Sequence, residues 1–114
     1  MRKHETKIER FYRIANRRYW GGRLPCDVIV RWDAGLLRRD RCVGMLQHYP
    51  GVCIVIRISS ILRKSPGLAG LVIMHEMAHL AVQLRLGKAY GGHGLVFQRE
   101  MLRLARAGAL STLW

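Results

Sequence analysis

The sequence predicts a small α+β domain: a helix, three strands, then two more helices. Three observations lead there. The chain has 114 residues and is half apolar, which fits one core and one domain spanning 1–114. Apolar residues recur at helical spacing near both ends, with β-branched runs between them. Turn-forming residues fall at the joins, and no repeat, low-complexity tract or Pro/Gly/Ser linker divides the chain.

Ile8, Phe11, Tyr12, Ala15 and Tyr19 lie at helical spacing, while Lys3, Lys7, Arg10, Arg13 and Arg17 take the other faces. This predicts an amphipathic helix over about residues 4–20, ended by GGRLP (21–25). DVIVRW (27–32) reads as a strand and LLRRDR (36–41) as a basic connection. CVGMLQHY and CIVIRIS flank Pro50-Gly51 as a hairpin, completing a three-stranded, mainly antiparallel sheet. With Pro50 and Gly51 as the central turn residues, Cys53 faces His48, and Cys42 lies too far from Cys53 for a disulfide. Ser65 is placed to cap the next helix and Pro66 fits its first position; it runs to about Leu86, where Gly87 can close it. The last helix is expected from about His93 to Ala107, with Leu95, Val96, Phe97, Met101, Leu102, Leu104 and Ala105 as core and Gly108 as its end.

Between Leu68 and Leu84 the strongly polar side chains are His75, Glu76, His79 and Gln83. At ~100° per residue, His75 and His79 lie ~40° apart around the helix, so the four form one stripe on an apolar rod. Burying two imidazoles and a carboxylate there is unfavourable unless something satisfies them. His75-Glu76-Met77-Ala78-His79 matches H-E-x-x-H. Residues i and i+4 stack one turn apart, so both imidazoles can bind one Zn²⁺, and the adjacent Glu can reach the water as general base. From the counts of His and Glu here, a chance match arises at roughly one in 130. The plain alternative is two hydrogen-bonded core histidines and a fortuitous Glu.

A catalytic zinc usually takes three protein ligands. Position 85, where a compact third His would fall, is Arg. His93 is the natural candidate. The helix leaves the metal by ~10 Å after His79, and the seven residues to His93 can span ~23 Å back. YGGHG (90–94) supplies the flexible backbone for that reversal. Glu100 is a weaker rival ligand, with a surface pair to Arg103 as its plainer role; His4 and His48 read as surface residues.

The net charge of +13 is carried by Arg and Lys spread along the whole chain. A domain this basic predicts contact with nucleic acid, through Lys3, Lys7, Arg10 and Arg17 on the first helix and Arg38, Arg39 and Arg41 in the connection. Phe11, Tyr12, Tyr19 and Trp20 read as core more than as base-stacking residues. No signal peptide is expected, nor an apolar run of membrane-spanning length. Three cysteines without a C-x-x-C pair exclude a structural zinc ribbon and predict a reduced, cytoplasmic setting, nucleoid-associated in a bacterium or nuclear in a eukaryote.

HEMAHL (75–80) and GHGLVF (92–97), with Asn16, YW, GGRLP, VIVRW and GMLQHY…CIVIRIS upstream, resemble the SprT-like (Spartan-type) metalloprotease domain over about residues 8–107. The resemblance implies a zincin-like fold and a zinc endopeptidase, with His75, His79 and His93 as ligands and Glu76 as catalytic base. It also implies a substrate chain held on a sheet edge beside the active helix. Some relatives cleave proteins crosslinked to DNA, and many carry a C-terminal zinc ribbon that this chain, ending at Trp114, is expected to lack.

The expected function is therefore a Zn²⁺-dependent, monomeric endopeptidase acting on DNA-associated or DNA-crosslinked proteins. Tyr90 is a candidate oxyanion stabiliser, with ordinary loop packing as its alternative. Two other readings stay open: a small basic DNA-binding module with structural or no zinc and no peptidase activity, and a metal-dependent hydrolase of something other than peptides.

Overall fold

A computed structural model describes residues 4–87 and 92–110. Lys3 and Tyr90 lie outside the described residues. The elements run α1 (Lys7–Trp20), β1 (Ile29–Asp33), α2 (Leu36–Asp40), β2 (Gly44–Tyr49), β3 (Cys53–Ser59), a 3-10 turn (Ser60–Leu62), α3 (Pro66–Leu86) and α4 (Leu95–Arg106). The α+β expectation holds. The basic connection at 36–41 is itself a short helix, α2.

α1 starts on a capping box absent from the sequence reading: the Glu9 amide donates to the Thr6 hydroxyl (3.2 Å) and the Thr6 amide to the Glu9 carboxylate (2.8 Å). Its inner face buries Ile8, Tyr12, Ala15, Asn16 and Trp20. Asn16 is a buried polar residue that pins the following turn, donating to the Leu24 carbonyl (2.9 Å) and accepting from its amide (3.0 Å). The Tyr12 hydroxyl donates to the Pro25 carbonyl (2.6 Å). Tyr12 and Trp20 belong to the core, and Phe11 and Tyr19 pack against it, as their spacing predicted.

The sheet corrects two expectations. It is mixed, in the order β1-β3-β2, with β1 parallel to β3 and β2 antiparallel to it. β3 carries the most apolar run, and Val55, Ile56, Ile58 and Ser59 on it are buried. The strand that gains most from cover on both edges takes the centre, so β1 pairs with it rather than with β2. The hairpin register is also shifted by one: Cys53 faces Tyr49, and His48 faces Ile54. The loop holds three residues, not two. Gly51 is left-handed (φ 72°), and the Val52 amide donates to the Tyr49 carbonyl (2.8 Å), a turn with Pro and Gly at its two central positions.

α3 is the central helix, packed against α1, β2, β3 and α4. Pro66 stands at its start, but Ser65 makes no side-chain cap; its carbonyl accepts from the Ala69 amide (2.9 Å) instead. Gly87 closes the helix in a positive-φ conformation, its amide donating to the Gln83 carbonyl (2.8 Å). By length and composition alone Pro66–Leu86 would suffice to cross a membrane, which the sequence reading had set aside; here more than half of it is buried inside the fold, as in a core helix. α4 begins at Leu95, leaving His93 in the bend before it. Its buried residues are Phe97, Glu100 and Leu104, whereas Leu95 and Leu102, expected in the core, are exposed.

Candidate metal centre

α3 presents His75 and His79 one turn apart, and the bend at 92–94 returns His93 to meet them. The Nε2 of His93 lies 3.1 Å from the Nε2 of His75 and 3.1 Å from that of His79. One nitrogen from each ring falls within 4.8 Å of the others. Tetrahedral bonds of ~2.0–2.1 Å hold two nitrogens ~3.4 Å apart, so a shift of a few tenths of an ångström seats one ion among them.

The chemistry of the trio also fits a cation. The His79 Nδ1 is buried without a hydrogen-bond partner among the described residues, and its Nε2 faces other imidazole nitrogens. Burial, followed by the neighbouring His75 and His93, lowers the His79 pKa to about 4. Burial, with His93, also lowers that of His75. Neutral imidazoles with converging Nε2 lone pairs are the ligand form, and a cation at their meeting point would give all three Nε2 atoms a partner.

Phe97 holds the rings. It stacks on His79 (centroids 4.1 Å apart, planes 18° apart) and meets His75 (5.1 Å) and His93 (5.0 Å) edge-on. The Gln98 side chain fixes the bend by donating to the His93 carbonyl (2.9 Å). The sequence reading placed Phe97 in the core; its contact with all three imidazoles joins the HEMAHL and GHGLVF segments physically.

Glu76 stands beside the trio and outside it. It is only 7 % exposed, and burial raises its pKa to about 7. Its Oε2 lies 3.3 Å from the His75 Nδ1, a ring nitrogen free to carry a proton when Nε2 binds a metal. Gly44 lies opposite: a Cβ there would collide with the Val72 Cγ1 and sit 3.1 Å from the Glu76 Oε2. Only a glycine lets β2 approach α3 so closely.

The three histidines and Glu76 line a cleft of about 620 Å³ together with Cys42, Val43, Gly44, Leu68, Leu71 and Val72. β2 is an edge strand. The Ser59 amide donates to the Val43 carbonyl (2.9 Å), so the antiparallel alternation turns the backbone groups of Gly44, Leu46 and His48 to the free edge.

The other candidates fall elsewhere. Glu100 is no ligand: it is buried, accepting from the Trp20 indole (2.7 Å) and from two Arg103 nitrogens (3.1 and 3.0 Å). The Arg103 pair exists but is buried on the Glu100 side rather than lying on the surface. His4 is exposed as expected, whereas His48 is half-buried, its Nε2 2.6 Å from the Gln83 Oε1. Lys7, Arg10, Arg17, Arg38, Arg39 and Arg41 are exposed. Arg39 is tied to Asp33 (2.7 Å) and Asp40 (2.8 Å), and Arg10 approaches Glu5 (3.6 Å), so their charges are partly matched locally. The three cysteines are free thiols.

A mixed sheet laid on a long helix, with three imidazoles from that helix and a following bend poised around one point, defines a metallopeptidase-like α+β domain able to bind a metal ion. The SprT-like family model matches residues 8–112, almost the entire chain, which therefore belongs to the SprT-like family. No curated protein matches the sequence significantly.

Proposed function

We propose that this protein is a zinc-dependent endopeptidase of SprT type, acting on protein chains associated with or crosslinked to DNA. The observation that carries the proposal is the juxtaposition of three converging Nε2 atoms with a separate, buried carboxyl of pKa about 7. His75, His79 and His93 would hold the ion. When bound, Zn²⁺ lowers the pKa of water toward neutrality and polarises a peptide carbonyl. Glu76 takes the proton from the attacking water and returns it to the departing amine nitrogen. Its burial beside the three imidazoles keeps bulk water from competing for that proton. An extended substrate segment would pair with the free edge of β2, whose outward backbone groups at Gly44, Leu46 and His48 run beside the cleft.

DNA would meet the exposed cations of α1 and α2, of which Lys7, Arg17, Arg18, Arg38 and Arg41 make no ion pair among the described residues, unlike Arg10, Arg13 and Arg39. The test is cleavage of casein or histone by the zinc-loaded protein, with and without single-stranded DNA. Cleavage that a chelator blocks and zinc restores is expected, as is DNA affinity that falls steeply with salt. DNA binding without any cleavage would favour a basic binding module instead, a reading that the net charge of +13 supports.

A further inference from the structure

The metal-bearing stripe of α3 does not end at His75. One and two turns upstream it continues as Val72, Leu71 and Leu68, at helical spacing on the same face. These residues form one wall of the cleft, and Val43, just before β2, forms part of the other. Leu68 is 55 % exposed and Val43 36 %, in a chain otherwise rich in surface arginine. Among the described residues no Lys or Arg lines the cleft, and Glu76 is its one acidic side chain.

We infer that Leu68, Leu71, Val72 and Val43 form a specificity subsite for a large apolar side chain next to the scissile bond. The inference rests on the peptidase reading above and adds the substrate class. An extended segment on the β2 edge turns alternate side chains toward α3, where they meet this wall. An aliphatic or aromatic side chain there removes its own surface and that of Leu68 and Val43 from water. At this wall a substrate carboxylate would lose hydration without meeting a Lys or Arg side chain among the described residues, and a substrate ammonium would meet no carboxylate beside Leu68 and Val43. The cleft volume of about 620 Å³ accommodates such a side chain together with the backbone beside the metal centre.

The test is cleavage-site profiling on a random peptide library with the zinc-loaded protein, single-stranded DNA being present throughout. At one position flanking the cut, Leu, Met and Phe are expected to be enriched about tenfold or more over Lys and Asp. Leu68→Asp puts a carboxylate at the mouth, at the third position of α3, where an acid suits the helix N-terminus. It should move that same position toward Lys and Arg while zinc content stays at the wild-type value. Val43→Asp, on the opposite wall, should shift preference in the same direction. If the wild type cuts the library without apolar preference, or both variants leave the profile unchanged, the subsite is refuted while the peptidase reading stands. If the zinc-loaded wild type cuts neither the library nor casein, both fall.

Discussion

Glu76 and Glu100 are buried almost equally, 7 % and 6 % exposed, yet their carboxyls are driven in opposite directions. Around Glu76 burial acts almost alone and raises its pKa to about 7. Around Glu100 burial is again the largest single influence and pushes upward, but hydrogen bonds from Arg103 and Trp20, together with the charges of Arg103 and Arg85, outweigh it and hold the carboxyl below its ordinary value. One glutamate is left able to exchange a proton near neutrality; the other is a fixed anion that joins α4 to the end of α1. The difference lies chiefly in the donors and charges that reach each carboxyl. A buried acid becomes a proton carrier where the fold withholds its partners, and a structural tie where the fold supplies them.

The largest expected effect separates the two by activity. Glu76→Gln should lower peptide cleavage by about 10²–10⁴-fold while one zinc stays bound. Glu100→Gln should keep both zinc and cleavage; a matching collapse of activity there would erase the distinction.

Stability of the chelator-treated protein inverts the ranking. The folded pKa of Glu76 exceeds its unfolded value near 4.5, so the folded state holds the extra proton, and stability drains away as pH rises from about 4.5 to 7. Glu76→Gln should thus stabilise the metal-free protein by up to ~3 kcal/mol at pH 8 and change little at pH 4. Glu100 behaves with the opposite sign. Its folded pKa is depressed, so its contribution is present above about 4.5 and lost as pH falls through the folded value. Glu100→Gln should cost ~1–3 kcal/mol at pH 8, and the deficit should shrink in acid. Denaturant melts of both variants at two pH values decide the matter; shifts of one common sign at pH 8 would contradict it.

The smallest expected effect concerns how Glu76 is kept dry. Gly44→Ala forces a methyl against Val72 and the Glu76 carboxylate. Overpacking of this kind costs ~1–3 kcal/mol. By parting β2 from α3 it should admit water and move the Glu76 titration below about 7, read by NMR on metal-free protein. An unchanged titration would mean that Gly44 plays no part in covering the acid.

Local features were legible in the sequence. The period of α3, the one-turn spacing of His75 and His79, the glycines before and after His93, and the core face of α1 each depend on residues close along the chain. Long-range features were not. That β3 sits between β1 and β2 follows from competition for the centre of the sheet, which no single segment reveals. The register slip turned on whether Val52 belongs to the turn or to the strand. Trp20 and Glu100 meet across 80 residues, and nothing in either segment announces the other. The need for glycine at position 44 arises from α3 lying against β2, which no local pattern announces.

His75, His79 and His93 should hold one metal ion through their Nε2 atoms, with Glu76 left out. Zinc content and zinc-edge X-ray absorption of the purified protein test this most directly. One zinc per chain is expected, bound by three imidazole nitrogens at ~2.0–2.1 Å and one further light atom. Its ligand count should fall in His93→Ala. A sulfur neighbour at ~2.3 Å, as Cys42 in the same cleft could provide, or a wild-type spectrum unchanged by His93→Ala, would contradict it.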